Sequence, residues 1–192
     1  MQGQQIGIIT VNLNRVGTSL VGEAVRDINR IHPGALICLQ EVPFWGNRGD
    51  LQIEGFVAIR NPTGHSAVLI PGALSNGLRH HSFEGRQTAV QIGTMGLVSV
   101  YLADAWKDDH MFHQDVDDLR KCIKELRRAG ARTINLAGDF QIELPPSLEG
   151  FTGPRARGRE NITKERTEDR LEDILDLMAE FNLRAFHTFS SG

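Results

Sequence analysis

The chain has 192 residues, 40% of them hydrophobic and 23% charged, with a formal net charge of −3. That usage excludes collagen-like, coiled-coil and wholly disordered chains, and two cysteines, Cys38 and Cys122, exclude a disulfide scaffold and a four-cysteine zinc site. No apolar run nears the roughly 20 residues that span a bilayer. Residues Met1 to Gln5 lack the basic and apolar regions of a signal peptide. The chain therefore reads as intracellular, with nucleus or cytoplasm left open, and without a membrane partner. Its length suits one domain over residues 1–192, large enough to bury a core without staples. The charge excludes a surface that is basic all over. It leaves room for a local basic patch, or for an acidic site that meets phosphate through a cation.

Ile6 to Leu13 is apolar and β-branched, and predicts a buried strand. Thr18 or Ser19 can cap a helix whose apolar face is Val21, Ala24, Val25, Ile28 and Ile31, ended by Pro33-Gly34. Ala35 to Leu39 is a second buried strand that delivers Gln40-Glu41, and Pro43 to Asp50 is a loop. The middle predicts strands over Ile53 to Arg60, Ser66 to Ile70, Gln87 to Ile92 and Leu97 to Leu102, separated by Gly, Pro and Asn. His80-His81 reads as strand or turn surface. A helix over Phe112 to Ala129 buries Val116, Leu119, Ile123 and Leu126, and carries its cations toward the end where they suit the helix dipole. Thr133 to Ala137 is a strand running into Gly138-Asp139. Leu144 to Arg159 is a loop rich in Pro, Gly and Arg. Thr163 caps a last helix with Leu171, Ile174, Leu175, Met178 and Phe181 on its buried face, and Arg184 to Phe189 can begin another strand. Strands with inserted helices predict an α/β or α+β architecture.

Three strand ends are chemically suggestive. Asn12 lies near the end of the first strand, Glu41 straight after the second, and Asp139 straight after Thr133 to Ala137. A single acid at such a place is commonly a solvated loop residue. Two acids and an amide, if they converge, offer oxygen ligands to a hard cation such as Mg²⁺, which takes one or two carboxylates plus water and substrate phosphate. Such a site suits phosphoryl or phosphodiester chemistry. Other candidates have plainer readings. His110 and His113 sit at a helix start without further ligand spacing. Cys38 is a packed thiol within a strand. Trp45 and Trp106 fall in loops after site strands, where they can stack on a base or close a sheet edge. Arg155, Arg157, Arg159, Lys164, Arg166 and Arg170 form a basic stretch that is either a solvated loop and helix start or a contact to backbone phosphate.

Thr10-Val11-Asn12, Leu39-Gln40-Glu41, Glu84-Gly85-Arg86, Val100-Tyr101-Leu102 and Gly138-Asp139-Phe140 occur in the order of the endonuclease/exonuclease/phosphatase superfamily. The chain resembles in particular the endonuclease domain of non-LTR retrotransposons, through the Pro145-Pro146 loop, Thr152-Gly153-Pro154, a charged helix and Leu183 to Phe189. The resemblance implies a four-layer α/β sandwich, two mostly antiparallel sheets flanked by helices, lacking its last strands. It implies Mg²⁺-dependent phosphodiester hydrolysis, with Mn²⁺ as a possible substitute and DNA as the substrate. Glu41 is then the principal metal ligand, supported by Asn12. Tyr101 positions the phosphate or nucleophile, and Asp139 orients or activates the attacking water.

Two departures stand out. Gln141 occupies a position where the family carries asparagine, so the amide is kept on a side chain one methylene longer. The family's terminal Ser-Asp and Asp-His pairs have no counterpart after Phe189, and His187 precedes the segment that would hold the histidine. The alternative is thus a catalytically dead remnant that binds nucleic acid or protein.

Overall fold

The computed structural model describes residues 6–14, 18–42, 52–61, 65–81, 85–103, 109–142 and 165–185. The chain divides into two compact units: residues 1–101 with 118–140, and residues 102–117 with 141–192.

The first unit holds two four-stranded mixed sheets, so the α/β class expected from the sequence is the observed one. One sheet has the order β1 (Ile8–Asn12), β2 (Leu36–Gln40), β4 (Ser66–Pro71), β3 (Phe56–Arg60). The other runs β5 (Leu78–His81), β6 (Thr88–Ile92), β7 (Met95–Tyr101), β8 (Thr133–Asp139). Each sheet has two antiparallel pairings and one parallel pairing, β1 with β2 and β7 with β8. A parallel pair needs a crossover. Here the crossovers contain α1 (Thr18–Ile31) and α2 (Asp109–Arg128), and the residues of α2 from Asp118 onward belong to the first unit.

The period of two along each strand sorts side chains onto opposite faces. Leu36, Cys38, Val68 and Ile70 of the first sheet meet Val90 and Leu97 of the second in one apolar cluster, which makes the pair a sandwich. On the outer face of the first sheet, Ile37, Leu39 and Leu69 pack with Val21 and Val25 of α1, with Ile28 partly buried against them. On the second sheet, Gly96 of β7 lets the α2 side chain of Leu126 approach. A Cβ there would stand 3.1 Å from Leu126 Cδ1 and 2.8 Å from Ile134 Cδ1. Helices thus back both outer faces.

Ile31, expected on the buried face of α1, is 65% exposed. It follows the last turn that the sheet covers, and the chain turns away at Gly34 with φ 78°. Asp139, expected just past its strand, is the last residue of β8, because the parallel pairing continues to Tyr101↔Asp139.

In the second unit, α3 (Glu165–Phe181) buries Ile174, Leu177, Met178 and Phe181. Leu177 replaces the predicted Leu175, which is only half-buried. Arg170, expected with the basic stretch in solvent or on phosphate, is instead buried, its guanidinium taken up by partners inside the unit. Its Nε and Nη2 donate to Asp109 Oδ1 at 3.1 and 2.8 Å, its Nη1 donates to the Ala103 carbonyl at 3.0 Å, and its guanidinium covers the Phe112 ring. Asp115 Oδ2 accepts the Ala103 amide at 2.9 Å. These contacts hold the α2 start, α3 and residue 103 together within that unit. His113, at the start of α2 as expected, pairs through Nδ1 with Asp173 Oδ2. Arg184 and Ala185 carry no strand, and the rest of the strand expected there lies outside the described residues.

Candidate metal and phosphate site

The face between the sheets changes character along each strand. Reading every second residue, β1 runs Ile8, Thr10, Asn12, β2 runs Leu36, Cys38, Gln40, and β7 runs Leu97, Ser99, Tyr101. The apolar cluster lies at one end, and polar side chains gather at the carboxyl ends of the two parallel pairs. The carboxyl ends of parallel strands are where open α/β sheets place ligands.

Three of the predicted residues meet there. Asn12 Nδ2 donates to Glu41 Oε1 at 3.2 Å and to Asp139 Oδ2 at 3.0 Å. These partners lie 29 and 127 residues away along the chain. The amide's orientation is fixed from its other side, since Asn12 Oδ1 accepts the Asn14 backbone N–H at 2.8 Å in a local turn. An amide oxygen committed to a backbone donor leaves only the NH₂ to face the two carboxylates.

The backbone at the site is unusual. Glu41 has φ 51° and Asn14 φ 46°. Non-glycine residues pay of order 1–3 kcal/mol for such conformations, which persist where surrounding structure enforces them. Glu41 is held between the end of β2 and Val42, whose N–H donates to the His65 carbonyl at 3.4 Å. Asp139 is set by Gly138. A Cβ at position 138 would stand 2.0 Å from the Val100 carbonyl oxygen, so only glycine lets β8 close on β7 there.

Tyr101 lies opposite Asp139 in the register and is buried. The Arg86 guanidinium carbon sits 5.0 Å from its ring centroid, a cation on an aromatic face. The His65 ring stacks against it at 6.0 Å with 29° between planes. Arg86 is delivered by a clamp between the sheets. Asn61 Nδ2 donates to the carbonyls of Gly85 and Gln87 at 2.8 and 2.9 Å, and Ser66 Oγ donates to the Arg86 carbonyl at 2.6 Å. Arg86 stands in the Glu84-Gly85-Arg86 motif, but neither its role here nor those of His65 and Asn61 is announced by the sequence. Their meeting depends on pairing between distant strands, which no local pattern announces.

Glu41 and Asp139 offer two carboxylates, the chemistry a hard divalent cation takes, while the Asn12 NH₂, which donates and does not ligate, holds the two acids together. Among the described residues no group of three or more His, Cys, Asp or Glu forms a metal cage, and His110 and His113 gather none. The pair therefore fits a cation that also binds water and substrate better than a closed structural site. Gln141 follows Asp139 by two residues in the chain. Arg155, Arg157 and Arg159 lie outside the described residues, as do Trp45 and Trp106. No helix among the described residues is long and apolar enough to cross a membrane. No protein-family model and no curated protein matches the chain.

Proposed function

We propose that the chain is a Mg²⁺-dependent phosphodiesterase that nicks DNA, similar to the endonuclease domains of non-LTR retrotransposons. The observation that supports this most is the Asn12 amide bridging Glu41 and Asp139 at the ends of three strands. Glu41 would hold the cation, its carboxylate oriented by the Asn12 amide N–H, with Mn²⁺ an acceptable substitute. When bound, the metal supplies Lewis-acid stabilisation of the charge that develops on the phosphate oxygens. The Asp139 carboxylate orients the attacking water and takes its proton. The Tyr101 hydroxyl donates to a phosphate oxygen, and its ring is held in place by Arg86 and His65. The Gln141 amide is a second donor to the phosphate. Arg155, Arg157 and Arg159 would contact the backbone on either side of the scissile bond.

The test is conversion of supercoiled plasmid to open circle with Mg²⁺. The chain is expected to nick, EDTA to abolish nicking, and Glu41→Ala to lower the rate at least 100-fold. Equal nicking by both chains would remove Glu41 from the mechanism. Plasmid binding without cleavage would instead favour the catalytically dead binding module.

A further inference from the structure

Gln40 is 1% exposed and Ser99 fully buried, beside the apolar cluster between the sheets. Thr10 Oγ1 donates to Gln40 Oε1 at 2.9 Å, Gln40 Nε2 donates to Ser99 Oγ at 3.1 Å, and Ser99 Oγ donates to the Leu39 carbonyl at 3.1 Å. This polar chain links β1, β2 and β7, and joins the two sheets. A buried amide must find partners for both its ends, and these partners sit on strands whose next functional positions are those of the site. Thr10 is two residues before Asn12 on the same face, Gln40 one residue before Glu41, and Ser99 two residues before Tyr101 on the same face. An apolar side chain at position 40 would fill the space with more favourable burial. The polar bridge instead fixes the spacing of the sheets at the end where the site residues gather.

Resting on the phosphodiesterase reading above, we propose that Gln40 is a positioning residue. It bridges Thr10 and Ser99 and so sets the separation of Asn12 and Glu41 on one sheet from Tyr101 and Asp139 on the other. Nothing in this role requires Gln40 to touch substrate or metal. Its influence runs through the strand ends it ties.

The experiment compares Gln40→Met with the triple variant Thr10→Val/Gln40→Met/Ser99→Ala. The single variant strands the hydrogen-bonding partners of Gln40 and loses stability. The triple variant removes donors and acceptors together, which can be nearly neutral for folding. Plasmid nicking gives kcat and KM, and calorimetric titration with Mn²⁺ gives a readout that needs no turnover. The expected result is a triple variant that melts near the unsubstituted chain yet has kcat lowered about 10–100-fold, the range for residues that support ligands. KM for plasmid should stay within about twofold, and Mn²⁺ should bind about 10-fold more weakly by the same reasoning. Recovery of kcat and Mn²⁺ affinity together with stability would show a packing role and overturn the proposal. If the unsubstituted chain neither nicks nor binds Mn²⁺, the phosphodiesterase reading and the positioning role fall together. If it nicks and the triple variant nicks equally, only the positioning role falls.

Discussion

Asn12 donates to two carboxylates and accepts from a backbone amide, so its own charge neutrality matters more than its size. Replacing it with aspartate keeps the shape but sets a third acid against Glu41 and Asp139. Because Asn12 is exposed, water screens much of that repulsion, and a cost of about 1 kcal/mol is expected. For a chain of this length, that lowers the melting temperature by about 2–4 °C. Millimolar Mg²⁺ should restore the melting temperature of Asn12→Asp and raise that of Asn12→Ala far less, as measured by thermal denaturation with and without the cation. At this scale the sequence was informative where chemistry sits at the end of a short apolar run. Asn12, Glu41 and Asp139 each follow such a run, and each can be read locally. Arg86 and His65 could not be, since what makes them part of the site is a ring on another strand.

The elements were readable for a similar reason. β2 and β7 are continuous apolar runs because both of their faces are covered, one by the other sheet and one by a helix. Strand β5 is less apparent, since Leu78 to His81 is an edge with Arg79 and His80 exposed, and carries little apolar pattern. The pairing of elements was not readable at all. The parallel closure of β8 on β7 depends on Gly138, whose role is the absence of a side chain. Gly138→Ala is expected to cost about 3 kcal/mol or more, at the upper end of overpacking effects because the obstacle is backbone. Urea denaturation would measure it, and a loss under about 1 kcal/mol would mean that β8 can shift to admit a methyl group.

The covered strands also govern the thiols. Burial pushes Cys38 up to about 12 against the opposing pull of its hydrogen bond with Ser99, and burial, then Asp118, pushes Cys122 to about 12. A thiol whose folded value lies above its unfolded one stabilises the fold fully below the unfolded value. That stability is lost as pH rises from about 9 toward 12. The urea midpoint should therefore fall between pH 8.5 and 10.5, and fall less in Cys38→Ala/Cys122→Ala. At pH 8 neither thiol of the native chain should react with iodoacetamide at the rate seen in urea.

At the scale of the whole molecule, the charge of −3 bears on how the proposed nucleic-acid substrate would be held. With 21 Lys and Arg against 24 Asp and Glu, long-range attraction to a polyanion is weak. The gathering of Glu41 and Asp139 adds local negative potential at the proposed phosphate site. Duplex binding should then depend on the cation at the site more than on a basic surface. In EDTA, fluorescence anisotropy with a labelled duplex should show weak binding. In Ca²⁺, a hard cation with oxygen ligands, affinity should rise. A site that neutralises about two phosphates gives a slope of about −1.8 in log K against log salt, or about a tenfold loss between 50 and 200 mM. Six to ten contacts would cost about 10³–10⁵ over the same range. A steep slope that flattens in Arg155→Ala/Arg157→Ala/Arg159→Ala would move the main grip from the metal site to that basic stretch. A shallow slope that requires the cation and vanishes in Glu41→Ala would place the grip on the acids that Asn12 joins.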